Sequence, residues 1–297
     1  MVERPRWRGS GDEFDRQWRE SLKGDLDRWL IYPESCPNTQ TALDENMKAQ
    51  QITALLAQYN QKKGRVLEFG CGAAGMSIYL ANHGFFAVGC DVSINALRVA
   101  QRNADRHLVS VNKDSFHVSA GDVASLPFGN ASFNLVMSYG LLEHFSVEYL
   151  EGILEDVLRV LAPGGVFIAD IIPGRFTVRT IGVWISLVIS WIFHLITFQW
   201  KQLKSLTKAY LDQYYENSLG PEDWSSLLIR MGLKNVNVQV CRPFPPLAIS
   251  GGAERVYTHF LKALIPFWRW YDRTQSTWGR NWGWMYLVWG VRQQNED

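Results

Sequence analysis

Residues 66–75 read Val66-Leu67-Glu68-Phe69-Gly70-Cys71-Gly72-Ala73-Ala74-Gly75. An apolar strand runs into a carboxylate and a glycine-rich turn, and a helix is expected over Met76 to Asn82. Glycines give a tight turn its positive φ angles and let a ligand approach the backbone. The helix N-terminus behind the turn offers unpaired N–H groups. Gly70, Gly72 and Gly75 also fit the G-x-G-x-x-G spacing of a dinucleotide site, so Glu68 must decide between ligands. A pyrophosphate in the turn would be repelled by a carboxylate two residues before the first glycine. S-adenosylmethionine carries an ammonium and a sulfonium, and a carboxylate there attracts it.

The elements that must position this turn follow in order. Phe86 to Asp91 reads as a second strand ending in an acid, about twenty residues past the turn, where a carboxylate meets ribose hydroxyls. Ser115 to Ala120 reads as a third strand, followed by Gly121-Asp122, and Phe133 to Tyr139 as a fourth, followed by Leu142-Glu143-His144-Phe145. Leu158 to Ile171 gives a helix end, a turn at Pro163-Gly164-Gly165 and a fifth strand. The series resembles the class I S-adenosylmethionine-dependent methyltransferases, of the small-molecule type related to ubiquinone and sugar methyltransferases. The resemblance covers roughly residues 60–172, and 216–241 more loosely. One departure is that the third glycine of the pattern falls at Ala74, with Gly75 displaced by one.

The resemblance implies an α/β fold: a Rossmann-like seven-stranded, mostly parallel sheet with helices on both faces, plus helical additions. It places Glu68, Gly70 and Gly72 around the methionyl part of the cofactor and Asp91 at the ribose. Asp122 would accept from the adenine amino group, and Val123 would donate its N–H. Tyr139 would lie near the methyl group. His144, just past the fourth strand, is the candidate base, because strand C-termini face the ligand crevice in open α/β sheets and imidazole suits proton removal at neutral pH. Glu143-His144 is similar to the metal-binding pair of some ubiquinone-type O-methyltransferases. Position 140 is Gly140, so the second upstream acid is missing and no metal is expected.

Composition narrows the acceptor. Net charge is +1 over 297 residues, without a basic run. The fourth strand ends Ser138-Tyr139-Gly140, with none of the Asn/Asp-Pro-Pro-aromatic pattern of DNA amino-methyltransferases, so a nucleic-acid acceptor is not expected. Cys36, Cys71, Cys90 and Cys241 are widely spaced, which fits a reducing compartment. Met1 to Arg8 is charged, without an apolar signal region. A cytoplasmic protein is expected.

The organisation expected is a helical cap over 1–60, a core over 61–172 and 216–297, an apolar helical insertion over 173–215 and an aromatic-rich insertion over 243–283. In the cap, Phe14, Trp18, Leu22 and Leu26 stand at helical spacing, and Asp44 to Tyr59 reads as a second helix. Thr180 to Trp200 holds no charged residue apart from a protonated His194. It is long enough to span a bilayer, since about 20 residues cover about 30 Å. A single crossing would, however, strand the sixth (Asn235 to Cys241) and seventh (Met285 to Arg292) strands on the wrong side. A helix lying in one leaflet is expected instead. Its flanks, Arg175 and Arg179 before and Lys201, Lys204 and Lys208 after, can reach anionic head groups. Ser186, Ser190, His194 and Thr197 form a narrow polar stripe to turn toward the protein. The second insertion carries a helix candidate, Glu254 to Leu264, and the cluster Phe267-Trp268-Arg269-Trp270-Tyr271, a composition found at membrane interfaces and at protein interfaces.

The leading expectation is a methyltransferase for a lipid-like or lipid-linked acceptor, peripheral or monotopic at the inner membrane face. A second reading makes the acceptor a soluble apolar metabolite under an apolar lid. A third makes the chain a non-catalytic cofactor-binding assembly partner. Oligomeric state is left open.

Overall fold

The computed structural model describes residues 11–23, 31, 37–61, 63–197, 216–274 and 282–294. The N-terminal region supplies α1 (Gly11–Ser21) and α2 (Gln40–Gln58). The core follows as β1 (Arg65–Phe69), α3 (Gly75–Asn82), β2 (Phe86–Asp91), α4 (Ile94–His107), β3 (Phe116–Ala120), β4 (Phe133–Tyr139), α5 (Val147–Val160) and β5 (Leu161–Ile171). Then come α6 (Val178–Ile196), α7 (Pro221–Arg230), β6 (Leu233–Cys241), α8 (Gly251–Ala263), α9 (Ile265–Arg273) and β7 (Met285–Arg292).

The strands form one seven-stranded sheet in the order β3-β2-β1-β4-β5-β7-β6, parallel except for β7. This is the Rossmann-like architecture expected. Successive strand residues point to opposite faces, and both faces are covered. On one side Val66, Leu135, Met137 and Ile168 pack with Ile52 and Leu56 of α2 and Ile78 of α3. On the other, Leu67, Val136 and Phe167 pack with Leu150, Ile153, Leu154 and Val157 of α5 and Trp224 and Leu227 of α7. The α5 residues recur at i, i+3, i+4 and i+7, which puts them on one helical stripe. β1 has neighbours on both sides, with Glu68 level with Gly89 and Met137, so the first turn sits where the strand order reverses. That crevice is where open α/β sheets bind ligands.

Several boundaries differ from expectation. α2 starts at Gln40 because Thr39 caps it, its hydroxyl accepting from Ala42 N–H at 3.2 Å. Pro163 to Gly165 lie inside β5 rather than in a turn before it. They are accommodated by a shift in register against β4, with Gly164 at φ 75°. The aromatic cluster at 267–271 lies within α9.

The N-terminal helices part company. α1 packs on α4, whereas α2 packs against α8. Leu43 and Met47 of α2, Leu261 of α8 and Trp268 of α9 share a small apolar cluster. α2 and the insertion between β6 and β7 therefore form one layer. α6 is seated on the same insertion. Ser186 Oγ donates to Gly182 O at 2.7 Å and accepts from Ala248 N–H at 2.8 Å. Gly182 lies so close to Pro246 that a side chain there would collide with it. Ser190 and His194 are half-buried on this stripe, but Thr197, beyond the helix end, is exposed. Lys201, Lys204, Lys208 and Trp200 lie outside the described residues.

Candidate active site

The glycine turn has the geometry a closely approaching ligand needs. Gly70 and Gly72 take φ of 63° and 49°. A Cβ on Gly70 would stand 2.5 Å from Leu141 Cδ2, and one on Gly72 2.6 Å from the Trp18 ring. Ala74, where the third glycine was expected, also adopts the left-handed region (φ 56°, ψ 31°) and caps α3. The turn therefore keeps its shape with alanine in place. Asn103 of α4 braces it from behind, donating to Ala73 O at 3.1 Å.

Glu68 and Asp91 frame this turn. Glu68 is buried, and its Oε2 accepts from Ser77 N–H at 3.0 Å and Ser77 Oγ–H at 2.5 Å. Burial pushes its carboxyl up to about 7, against the pull of those two donors. A buried carboxylate beside the turn, on which the charge of Lys48 does not offset burial, suits a cationic ligand. Asp91 ends β2 with both oxygens engaged. Oδ2 accepts from Gly72 N–H at 3.0 Å and Oδ1 from Ser93 N–H at 2.8 Å. Each carboxylate oxygen has a second lone pair, so two donors such as vicinal ribose hydroxyls can still be taken. Burial raises its pKa, opposed by these backbone N–H groups. Asp122 lies just past β3 and is exposed, with Oδ1 accepting from Ala124 N–H at 3.0 Å; Val123 is half-buried beside it. Glu68, Gly70, Gly72, Asp91, Asp122 and Val123 thus lie along one edge of the sheet, at the C-termini of β1, β2 and β3. The donor set fits S-adenosylmethionine: acids for its cations and ribose, glycines for close approach.

Tyr139 ends β4, level with Asp170 of β5. Its hydroxyl donates to Met137 Sδ at 3.1 Å, and burial pushes the phenol well above its usual range, so it is neutral. His144 closes a short 3-10 turn, Leu142–His144, and is half-buried. Glu143 beside it is fully buried. Burial, and then the charge of Asp170, push its carboxyl up, and its Oε2 has no hydrogen-bond partner among the described residues.

Sequence reasoning missed the buried charges next to Tyr139. Lys48 Nζ of α2 lies 3.0 Å from Asp170 Oδ2, 3.0 Å from Glu45 Oε2 and 4.6 Å from the centroid of the Tyr139 ring. Burial alone would lower the Lys48 pKa, but Asp170 and Glu45 outweigh it and raise it. Asp170 Oδ1 accepts from Gly140 N–H at 2.6 Å, fixing the loop that leaves β4. Further along, Arg242 N–H and Gln51 Nε2–H both donate to Asp272, at 3.1 and 2.7 Å. The legible signal was Asp170 itself, a lone acid in the apolar run Val166 to Ile171.

Comparison with known proteins agrees with this geometry. A methyltransferase-domain family matches residues 66–165, from β1 into β5. The chain is 31% identical over 114 residues to the 2-heptyl-1-hydroxyquinolin-4(1H)-one methyltransferase of Mycobacteroides abscessus, covering 38% of this chain and 48% of that one. It is 30% identical over 128 residues to the tRNA 5-carboxymethoxyuridine methyltransferase of Escherichia coli, covering 43% and 48%. The chain thus spans about half the length of these curated relatives. Among solved structures, the magnesium protoporphyrin IX methyltransferase of Synechocystis shares the fold. Its TM-score is 0.53 at 16% identity, over 95% of this chain and 97% of that one. Residues 66–165 therefore carry a methyltransferase domain, and the site built on it fits S-adenosylmethionine as the cofactor. The named acceptors, a quinolinone and a tRNA base, differ, so these relatives share a domain and not an acceptor.

Proposed function

We propose that this protein methylates a lipid-like or lipid-linked acceptor while attached to the cytosolic face of a membrane. The outward face of α6 carries the reading. Trp184, Ile185, Val188, Ile189, Trp191, Ile192, Leu195 and Ile196 are exposed together, Trp184 at 60% and Ile196 at 71%. Burying such side chains is worth about 1.5–3 kcal/mol each, so a face of this size calls for an apolar phase. α6 starts a few residues after β5, with Val178 N–H bonded to Trp282 O at 3.1 Å, so this apolar face begins near the acceptor end of the sheet. Phe176, two residues before α6, and Phe260, Phe267, Trp270 and Trp282, between β6 and β7, add exposed aromatics. An exposed apolar helix face suits an interfacial helix. Of the flanks expected to reach head groups, Arg179 instead pairs with Glu216 at 2.6 Å and Arg175 lies over the Tyr286 ring, so the reading rests on the apolar face. The heptyl-bearing acceptor named for the mycobacterial relative adds weight to an apolar acceptor.

Bound S-adenosylmethionine supplies an electrophilic methyl group. Glu68, Gly70 and Gly72 would hold its methionyl part, Asp91 its ribose, and Asp122 with Val123 its adenine. Tyr139, kept neutral by burial and covered by Lys48, gives the methyl region a rigid wall. For a hydroxyl acceptor His144 would remove the proton, a contribution of about 10²–10⁴-fold.

Flotation with liposomes tests attachment. The parent protein should float with anionic vesicles. Trp184→Ser combined with Trp191→Ser should leave it in the soluble fraction. A parent that ignores vesicles would make the exposed face a lid over a soluble apolar acceptor.

A further inference from the structure

We propose that α1 completes the cofactor site, with Trp18 covering the glycine turn and Asp15 latching the helix beside the ribose-binding acid. The proposal rests on the cofactor assignment and is independent of the acceptor.

The contacts form a closed ring around Asp91. The Trp18 indole lies against Gly72, in the space a side chain there would fill. Gly72 N–H donates to one oxygen of Asp91, and Ser93 N–H to the other. The Ser93 hydroxyl donates to Asp15 Oδ1 at 2.7 Å, and Asp15 stands three residues before Trp18 on the same helix. Asn95 adds a side-chain bond to Asp15 Oδ2 at 2.8 Å and a backbone bond to Oδ1 at 3.3 Å. These donors, Ser93 foremost, hold the Asp15 carboxyl below its usual range, so the latch is charged at neutral pH. The other end of the helix is tied as well. Arg102 of α4 donates to Leu22 O at 3.2 Å, and Trp18 and Leu22 pack on Ala73 and Val99.

A ligand that reaches both Asp91 and Gly72 therefore lies beside the Trp18 ring. An indole supplies a large apolar wall at low entropy cost. The latch uses polar side chains rather than a large apolar core, so α1 can open without unfolding the sheet. Such a cover acts on ligand escape more than on entry.

The test is the dissociation rate of S-adenosylhomocysteine, by stopped flow, from the parent, Trp18→Ala, Trp18→Phe and Asp15→Asn. Trp18→Ala should release the ligand about tenfold faster, equivalent to about 1.4 kcal/mol of lost contact. Trp18→Phe should restore most of the retention, and Asp15→Asn should fall between. The melting temperature without ligand should be nearly unchanged in all three. Hydrogen exchange over residues 11–21 should slow when the ligand is bound. Unchanged release from Trp18→Ala with unchanged exchange over 11–21 would overturn the proposal. So would tighter binding by Trp18→Ala, which would mean the ring stands in the ligand's place. A parent that binds no S-adenosylhomocysteine would instead refute the cofactor assignment.

Discussion

Lys48 and Asp170 meet at 3.0 Å in the interior, joining α2 to the end of β5 across 122 positions of sequence. Both side chains are 6% exposed. Removing one member of a buried pair leaves the other charge without compensation, at a cost of about 3–5 kcal/mol. Lys48→Met should therefore lower stability by that order in urea unfolding, and adding Asp170→Asn should recover part of it. A loss under about 1 kcal/mol in Lys48→Met would show that the pair is not closed in solution.

With Glu68 proposed beside the cofactor's cationic part, cofactor binding should depend on pH. Its carboxyl sits at about 7 in the cofactor-free protein, raised from 4.5 chiefly by burial. A bound cation favours the ionised form and lowers that value. Binding should release a proton, and affinity should rise with pH through the range around 7 and level off above it, by at most tenfold per pH unit. Calorimetry at pH 6.5 in two buffers of different ionisation enthalpy checks this. Glu68→Gln should abolish the release, and a parent with no net proton release would contradict it.

Ala74 is held at φ 56°, where an L-residue costs about 1–2 kcal/mol. Glycine removes that cost but makes the unfolded chain freer by up to about 1 kcal/mol. Ala74→Gly should therefore be neutral or stabilising by up to about 1 kcal/mol. Thermal unfolding that shows a clear loss would mean the turn is not left-handed there.

The repetitive parts of this fold were legible because they obey a period. β4 and β7 run over the residues expected, since a strand covered on both faces reads as a short apolar run. The turn and its acids were legible from charge and glycine spacing. Partners distant in sequence were not. Asp15 meets Ser93 across 78 positions and Lys48 meets Asp170 across 122, and neither residue breaks its own helix pattern. For the same reason a single cap over 1–60 was expected, while α1 and α2 go to different neighbours.

His144 follows the strand that ends in Tyr139, just past the C-terminus of β4. If it removes a hydroxyl proton, His144→Ala should lose about 10²–10⁴-fold in turnover while cofactor affinity is retained. Near-normal turnover in folded His144→Ala protein would remove it from the chemistry and favour an acceptor that needs no base.

The reaction proposed is methyl transfer to a lipid-like acceptor. The most direct measurement incubates the protein with methyl-labelled S-adenosylmethionine and a total membrane-lipid extract in vesicles, then partitions the label. Label should appear in the organic phase on a discrete product. That label should fall sharply with Asp91→Ala, which removes the acid proposed for the ribose, and with Trp184→Ser plus Trp191→Ser, which removes the side chains proposed for attachment. Label that stays in the aqueous phase, with a parent active on soluble metabolites and indifferent to vesicles, would contradict it.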